Sequence, residues 1–335
     1  MSIVNHIFGK GELSCALAKM FLRIVPRHPN PDDEADSSFF APMHLDKLPR
    51  SQIEEAMHRA AHGRYLVERS DRFLELFFGP SVKEFLHEKR VLDFGCYFGG
   101  TAVAWEEMYG TRKMCGFDVD SIYIEGANAY AKRVGSTAEF RQGYGEEAPF
   151  PDEAFDTIVA IDVLEHVHDV EKCLEECWRM LVPNGHLIAV FPTYYHPYAH
   201  HLKISYAPLA HWFFSDETLR KAQNEIYADS GSQYAHFHTE AQPYYRLPGL
   251  NGITARRAWR LIRRQKWEIV RNVRWGLPRV GRRARTPLLA RVSQINSVLG
   301  RVPGLDEIFL DRVSVILRKS ESVQNGHAGG PTAKR

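Results

Sequence analysis

Short apolar runs alternate with stretches of helical periodicity through most of the chain. Seven runs predict buried strands, at residues 90–94, 114–118, 138–142, 157–161, 186–191, 267–274 and 313–318. Helices are predicted between them, at residues 100–109, 122–134, 170–181 and 254–265. Strands that alternate with helices of this length predict βαβ units and a mostly parallel sheet, which binds ligands at the carboxyl ends of its strands.

The segments outside this alternation have their own patterns. Residues 12–25 form an amphipathic helical pattern that we expect to pack on the domain, and a proline-rich, acidic linker follows at 26–49. Helical periodicity continues over 51–78. Residues 193–252 are rich in Tyr, His and Pro, and they include a helix predicted over 215–229 with Ser215 as its N-cap.

These patterns define the domain organisation. We predict an α/β fold with a seven-stranded sheet, helices on both faces, an N-terminal helical segment and a lid insertion. The predicted divisions are an N-terminal segment at 1–60, the main domain at 61–318, a lid insertion at 193–252, a basic insertion at 275–305 and a disordered tail at 319–335.

Composition narrows the class of protein. The formal net charge is +2, so the charge of the whole chain does not indicate a nucleic-acid partner. The five cysteines are odd in number and form no CxxC pair, which argues against a disulfide framework or a structural zinc site. Cys173 and Cys177 are expected to face the core. Because the sequence shows neither a membrane-length apolar run nor a signal-peptide pattern, we expect a cytoplasmic protein.

The chemistry is concentrated where the first two strands end. The first strand runs into a glycine turn, DFGCYFGG at residues 93–100, and the second strand ends in Asp118. The dinucleotide fingerprint GxGxxG is missing, and Asp93 would repel a pyrophosphate. An acid about 20 residues after such a turn commonly binds a ribose hydroxyl pair. The site therefore suits a nucleoside that carries a positive charge and no pyrophosphate.

Four motifs resemble those of class I S-adenosylmethionine (SAM)-dependent methyltransferases. The first strand and turn read VLDFGCYFGG and resemble the family's SAM-binding motif, VLDxGCGxG; the second strand, GFDVD, resembles its second motif. The segment GYGEEAPFPDEAFDTIVAIDVLEHVHD resembles the third and fourth motifs of the ubiquinone/menaquinone-biosynthesis-like group. The segment LVPNGHLIAVFP resembles the turn and fifth strand of that group. The resemblance is close over 88–192 and weaker over 254–273 and 306–318. It implies a Rossmann-like fold, SAM as cofactor and methyltransferase activity.

The resemblance also implies roles for individual residues. The residues implied to contact the cofactor are Asp93, Gly95, Cys96, Gly99, Asp118, Val119, Gly145, Glu146 and Asp162. Asp93, Gly95 and Gly99 would border the methionine part, and Asp118 would hold the ribose. Gly145 and Glu146 would lie near adenine, and Asp162 would face the cofactor or the acceptor. Two residues depart from the pattern. Tyr97 replaces a glycine, so the turn must either bend without a glycine or stack Tyr97 on the cofactor. Tyr144 replaces an aspartate.

A hydroxyl acceptor also needs a base. Candidates are Asp162, Glu165, His166 and a cluster in the lid insertion, His196, His200, His201 and His211, because histidine titrates near neutral pH. We name His166, His200, His201 and Asp162 as the catalytic set. A simpler interpretation is that His166 is a structural residue at a helix start. For the four lid histidines, the simpler interpretation is that they pack among other polar side chains of the lid. Asp162, Glu165 and His166 also resemble the metal site of some O-methyltransferases, although the first ligand there is Glu, and we assign no metal.

A basic stretch suggests a partner. Residues 256–301 contain thirteen arginines and one lysine, with Glu268 as their single acid. This pattern suits an anionic substrate or a membrane surface, and nucleic acid is less favoured because no RNA-binding motif accompanies it. We expect methyl transfer to a hydroxyl of a small molecule, a sugar or a lipid-linked glycan. The alternatives are nitrogen or carbon acceptors, a metal-assisted RNA 2′-O-methyltransferase and a non-catalytic SAM-binding scaffold.

Overall fold

The computed structural model describes residues 12–24, 49–195, 209–229, 251–274, 276, 287–302, 304–310 and 312–320. The helices are α1 (Glu12–Ile24), α2 (Arg50–Asp71), α3 (Phe73–Phe78), α4 (Gly100–Tyr109), α5 (Ser121–Val134), α6 (Val170–Met180), α7 (Ala210–Phe213), α8 (Asp216–Asp229), α9 (Ala255–Arg264), α10 (Pro287–Leu299) and α11 (Asp306–Phe309), with a 3-10 helix at Pro80–Phe85. The strands are β1 (Arg90–Phe94), β2 (Lys113–Asp118), β3 (Glu139–Gln142), β4 (Phe155–Ile161), β5 (Leu181–Phe191), β6 (Glu268–Val273) and β7 (Val313–Arg318).

The strands form one seven-stranded sheet in the order β3-β2-β1-β4-β5-β7-β6. β1 to β5 are parallel, and β7 runs antiparallel between β5 and β6. Alternate residues of β1 point to opposite faces, so Val91 packs with α2, α4 and α5 in one core, and Leu92 packs with α6 and α9 in the other. The predicted seven-stranded, mostly parallel sheet with helices on both faces is confirmed.

The predicted helix over 51–78 is wrong in one respect, because it is broken at Arg72. This residue adopts a left-handed conformation, with φ 51°, and separates α2 from α3. The buried carboxylate of Glu68 accepts hydrogen bonds from the backbone nitrogens of Phe73 and Leu74, which begin α3. Glu68 therefore stabilises the start of a new helix where the apolar pattern continues without interruption.

The N-terminal helix α2 packs directly on the central domain. Its residues Ala60 and Ala61 are buried, so the predicted division between 60 and 61 falls inside one continuous helix. A β-carbon on Gly100 would lie 1.8 Å from the Ala61 carbonyl oxygen. The glycine at the start of α4 thus allows α2 to lie against the turn that follows β1.

A third apolar cluster joins α1 to α7 and α8 in the predicted lid insertion. Cys15, Ala18 and Leu22 are buried against residues of α7 and α8. Ion pairs flank this contact, including Lys19 Nζ with Glu225 at 3.0 Å. Ser215 Oγ accepts from the Thr218 nitrogen at 3.2 Å, as its predicted capping role requires. The amphipathic α1 therefore packs on the lid, and the rest of the lid, 196–208 and 230–250, lies outside the described residues.

No helix in the described ranges is long and apolar enough to cross a membrane. Cys173 and Cys177 are both fully buried, as predicted. The predicted disordered tail is described only at residues 319 and 320.

Candidate active site

The glycine turn after β1 lies against the end of β2. The amide nitrogens of Gly95 and Cys96 both donate to the Phe117 carbonyl oxygen at 3.0 Å. Gly95 (φ 79°) and Gly99 (φ 75°) adopt the left-handed conformation that glycine tolerates. A β-carbon at Gly95 would also lie 2.6 Å from the Val163 side chain. The turn therefore requires glycine both for its backbone and for its packing.

Tyr97 bends the turn without a glycine. Its own backbone is left-handed, with φ 52°, a conformation that costs a residue with a side chain about 1–2 kcal/mol. Its ring centroid lies 4.5 Å from those of Phe98 and Tyr123, and such aromatic contacts offset the cost. The sequence left open whether the turn bends without a glycine or stacks Tyr97 on the cofactor, and the structure shows that the turn bends at Tyr97.

Asp118, at the end of β2, accepts two backbone hydrogen bonds. Oδ2 accepts from the Tyr97 nitrogen at 3.0 Å, and Oδ1 accepts from the Asp120 nitrogen at 3.3 Å. Burial raises the pKa of Asp118 to about 6, and these hydrogen bonds limit the rise. Each carboxylate oxygen keeps a further lone pair. Asp118 can therefore hold the turn and still accept from two ligand hydroxyls.

Two more acids complete a buried acidic cluster, which consists of Glu68, Asp93 and Asp118. Burial, and then the charges of Asp118 and Glu68, raise the pKa of Asp93 to about 8. Burial raises the pKa of Glu68 to about 7, although the Trp105 indole donates to its carboxylate at 2.9 Å. Because a nearby cation stabilises the ionised form of such groups, this cluster favours a positively charged ligand.

Arg64 enters the site from α2 and was missed by the sequence analysis. Its guanidinium carbon lies 5.7 Å from the centroid of the Tyr97 ring. Burial lowers the pKa of Arg64, and the charges of Tyr97, Asp162 and Asp93 act in the opposite direction. Arg64 thus lies within electrostatic range of acids at the ends of both β1 and β4.

The sequence does carry a signal for this residue. Arg64 and Glu68 continue, at intervals of four, the face of α2 on which Ala60 is buried. Charged residues at core-facing positions of a helix need partners, so they mark candidate site residues. The predicted division between residues 60 and 61 cuts this face and separates Ala60 from Arg64 and Glu68.

Asp162 follows β4 and connects it to β7. Its backbone is left-handed, with φ 53°, and its nitrogen donates to the Val190 carbonyl oxygen at 2.8 Å. Its carboxylate forms an ion pair with Arg312, which immediately precedes β7. The Asp162 side chain is 46% exposed, so it remains accessible at the edge of the sheet.

Gly145 and Glu146 lie beside the start of α6. A β-carbon at Gly145 would lie 2.6 Å from the Phe94 ring. The Glu146 carboxylate accepts from the nitrogens of His168 at 2.8 Å and Asp169 at 3.0 Å. This carboxylate is therefore engaged in holding the loop before α6, and a role near adenine stays a prediction.

Cys96 and Val119 could contact a cofactor mainly through their backbones. The Cys96 side chain is buried, and burial raises the pKa of its thiol. The Val119 carbonyl oxygen accepts from the Gln142 amide at 3.0 Å. Their assignment to the cofactor site also stays a prediction.

His166 lies on the turn that follows Asp162, and its side chain is 33% exposed. Its Nε2 is 3.8 Å from Oε1 of Glu165. Neither oxygen of the buried Glu165 carboxylate has a hydrogen-bond partner within the part of the chain that the structure describes. Burial, and then the charge of Asp162, raise the pKa of Glu165 well above its ordinary value. A neutral Glu165 leaves His166 as the better proton acceptor on this turn.

The lid histidines are described only at His211. This side chain is buried, and its Nε2 lies 2.6 Å from the Tyr194 carbonyl oxygen, while the Tyr194 hydroxyl donates to the His211 carbonyl at 3.1 Å. These contacts give His211 a structural role after β5. His200 and His201 lie outside the described residues. Within the described ranges, no group of three or more His, Cys, Asp or Glu is arranged to hold a metal ion.

Known proteins match the part of the chain that carries this site. Residues 92–189 match the family model described as a methyltransferase domain. The chain is 35% identical over 104 residues to the uncharacterized methyltransferase YcgJ of Bacillus subtilis, covering 31% of this chain and 40% of that protein. The solved structure of YcgJ has a TM-score of 0.42 at 20% identity, over 72% of this chain and 96% of that one.

Two further relatives carry named activities of their own. Norajmaline N-methyltransferase of Rauvolfia serpentina is 30% identical over 125 residues, 37% of this chain and 41% of that protein. A ubiquinone biosynthesis O-methyltransferase of Azorhizobium caulinodans is 35% identical over 99 residues, 30% of this chain and 38% of that protein. The chain thus spans about two fifths of the length of these curated relatives.

The matched residues 92–189 run from β1 into β5 and include the glycine turn, Asp93, Asp118 and Asp162. Motifs, strand order and family match agree over this region. Residues 92–189 thus match a methyltransferase domain, in agreement with the resemblance of their motifs to class I, SAM-dependent methyltransferases.

Proposed function

We propose that this chain transfers a methyl group from SAM to a hydroxyl group of a small molecule, a sugar or a lipid-linked glycan. The observation that carries the proposal is the buried acidic cluster of Glu68, Asp93 and Asp118 beside the glycine turn. SAM carries a sulfonium and an ammonium charge, and both complement carboxylates whose pKa is raised by burial. These residues therefore fit the cofactor that the family uses.

Each residue of the site has a separate task in this proposal. Asp118 accepts from the ribose hydroxyls, and Asp93 faces the charged methionine part. The methionine carboxylate is assigned to Arg64, which approaches the glycine turn from α2. Bound SAM supplies an electrophilic methyl group on its sulfonium sulfur. The chain has to align the acceptor with that methyl and exclude water, which can provide much of the rate enhancement of a displacement.

The proton of the acceptor hydroxyl needs a base at the same edge of the sheet. His166 meets this need among the described candidates, because it follows Asp162 and its ring is partly exposed. Asp162 is better suited to orient the acceptor, since its carboxylate is paired with Arg312. His200 and His201 stay candidates from the sequence. We further propose a cytoplasmic location, which the five free cysteines support.

Calorimetric titration with S-adenosylhomocysteine, with NAD as the control ligand, tests the cofactor. We expect micromolar binding of S-adenosylhomocysteine alone, because Asp93 would repel the pyrophosphate of NAD. Binding of NAD, or of neither ligand, would contradict the proposal. Transfer of radiolabelled methyl from SAM into hydroxyl-bearing acceptors then tests the reaction, and His166→Ala should lower this transfer while leaving S-adenosylhomocysteine binding unchanged.

A further inference from the structure

The helix α10 packs on the domain through its small and polar side. Ser293 Oγ donates to the Gly276 carbonyl oxygen, and Ser297 Oγ accepts from the Gly276 nitrogen, both at 2.8 Å. A β-carbon at Gly276 would lie 2.0 Å from the Ser293 carbonyl oxygen. At the end of the helix, Arg274 donates to the Gly300 carbonyl oxygen at 2.9 Å. The inward face of α10 therefore presents Ser293 and Ser297 to the backbone of Gly276.

The opposite face of α10 is aliphatic and exposed. Ile295 is 59% exposed, Val298 61% and Val292 36%. At 3.6 residues per turn, these positions lie on the other side of the helix from Ser293 and Ser297. A surface helix normally buries its apolar face and presents its polar face to water. The orientation of α10 is the reverse among the described residues, so its aliphatic side chains face outward there.

The exposed apolar surface continues beyond the helix. Val302 is 49% exposed, Leu305 36% and Ile308 39%. Together with Ile295 and Val298 they form what we call the aliphatic patch. Large exposed apolar patches bordered by polar groups mark binding sites for proteins, ligands or membranes.

Arginines accompany the aliphatic patch. Arg291 is exposed on the same face of α10 as Ile295, and Arg301 is exposed just after the helix. On helix α9, whose first residues bond to Glu307 of α11, Arg256 and Arg260 are exposed as well. Glu268, the single acid between residues 251 and 305, is paired with Arg318. The surface around the patch is therefore positive on balance, with the half-buried Asp306 between Leu305 and Ile308.

This surface lies near the carboxyl ends of the parallel strands, as the candidate active site does. The buried Glu307 of α11 accepts from the nitrogens of Ala255 and Arg256, both at 2.9 Å, which joins α11 to the start of α9. The Glu307 carbonyl accepts from the Thr193 hydroxyl, just after β5, at 3.5 Å. Arg312, soon after α11, is paired with Asp162.

We propose that the aliphatic patch, with Arg256, Arg260, Arg291 and Arg301, docks the protein on an anionic lipid bilayer. Aliphatic side chains beside arginines are the combination that binds the boundary between headgroups and acyl chains. Nucleic acid is a poorer partner, because its bases stack on aromatic rings and the patch is aliphatic. Docking would bring a lipid-borne acceptor to the active-site edge. That last step rests on the proposed function, whereas the docking itself does not.

Co-sedimentation of the full chain with lipid vesicles tests the docking. We expect binding to vesicles of equal parts phosphatidylcholine and phosphatidylglycerol, no binding to pure phosphatidylcholine, and weaker binding at high salt. Ile295→Ser with Val298→Ser should lower vesicle affinity at least about tenfold. Arg291→Gln with Arg301→Gln should lower it roughly fivefold per arginine.

The matched control is Lys132→Gln with Val134→Ser on α5, which removes one exposed cation and one exposed aliphatic side chain elsewhere. The control should bind vesicles like the unchanged protein. Equal vesicle binding by the patch variants, or preference for single-stranded RNA over anionic vesicles, would overturn the docking. Calorimetry with S-adenosylhomocysteine on the same samples separates the two proposals. If the unchanged protein binds vesicles but not S-adenosylhomocysteine, the enzyme proposal alone is refuted.

Discussion

The carboxylate of Asp118 accepts a hydrogen bond from the backbone nitrogen of Tyr97 at 3.0 Å. The residue proposed to bind the ribose therefore also fixes the residue that bends the glycine turn. The proposed ribose contact and the shape of the turn share one carboxylate, so a change at either position should affect the other.

Asp118→Ala should weaken S-adenosylhomocysteine binding by about 1.5–3 kcal/mol, the usual contribution of a hydrogen bond to a charged group. It should also lower the melting temperature, because the turn loses its acceptor. Calorimetry and thermal unfolding measure the two effects. Glu125→Ala, an exposed acid on α5, is the control. Unchanged affinity in Asp118→Ala would refute the ribose assignment.

Tyr97→Gly and Tyr97→Ala should separate the backbone contribution from that of the ring. Both variants lose the ring contacts with Phe98 and Tyr123, but only alanine keeps the cost of a left-handed backbone. We expect Tyr97→Gly to be more stable than Tyr97→Ala by about 1 kcal/mol. Urea unfolding of the two proteins measures this difference. Equal stabilities would mean that the turn relaxes when the ring is removed.

Asp93→Asn should stabilise the ligand-free protein at high pH while weakening SAM binding. The pKa of Asp93 is about 8 in the folded protein and about 4 in the unfolded chain. Its contribution to stability is therefore complete below about pH 4 and is lost as the pH rises through about 8. The unchanged protein should lose melting temperature between about pH 4 and about pH 8, and the variant should lose less.

The same ionisation should govern the affinity for SAM. Binding of a cation favours ionised Asp93, so affinity should rise with pH over the same interval and should rise less in Asp93→Asn. Calorimetric titrations with SAM at several pH values provide the measurement. An affinity independent of pH in the unchanged protein would argue that Asp93 does not face the charged part of the ligand.

Arg64→Gln should weaken S-adenosylhomocysteine binding about tenfold, because the methionine carboxylate would lose its cation. Arg69→Gln is the matched control on the same helix: Arg69 is exposed and paired with Glu107. The control should bind like the unchanged protein. If the two variants behave alike, Arg64 serves the packing of α2 and not the ligand.

The sequence predicted those parts of the fold whose signal is local. Strand β1 and strand β7 have the predicted bounds, because each is a short apolar run between clear ends. The break at Arg72 was missed, since it depends on Glu68 accepting from backbone nitrogens five and six residues later. Likewise, the packing of α1 on the lid joins segments about 200 residues apart, and no local pattern encodes such a contact.

The sequence likewise predicted the acids of the candidate site at the strand ends, but not the arginines that reach it from distant elements. Asp93 and Asp118 were identified because strand ends and the glycine turn fix their positions from neighbouring residues. Arg64 reaches the site from a helix that precedes the first strand, and Arg312 reaches Asp162 from the other end of the domain. Both depend on tertiary packing, which the order of residues along the chain does not reveal.

The position of β7 has a consequence for biosynthesis. This strand is the last of the sheet to leave the ribosome, yet it lies between β5 and β6. Until it emerges, the edge of β5 is uncovered, β6 lacks its neighbour and Asp162 lacks Arg312. The nascent chain can therefore assemble β1 to β5, with the proposed nucleoside site, before β6 and β7 are in place. During that interval its open β-edge is a surface for chaperones to shield.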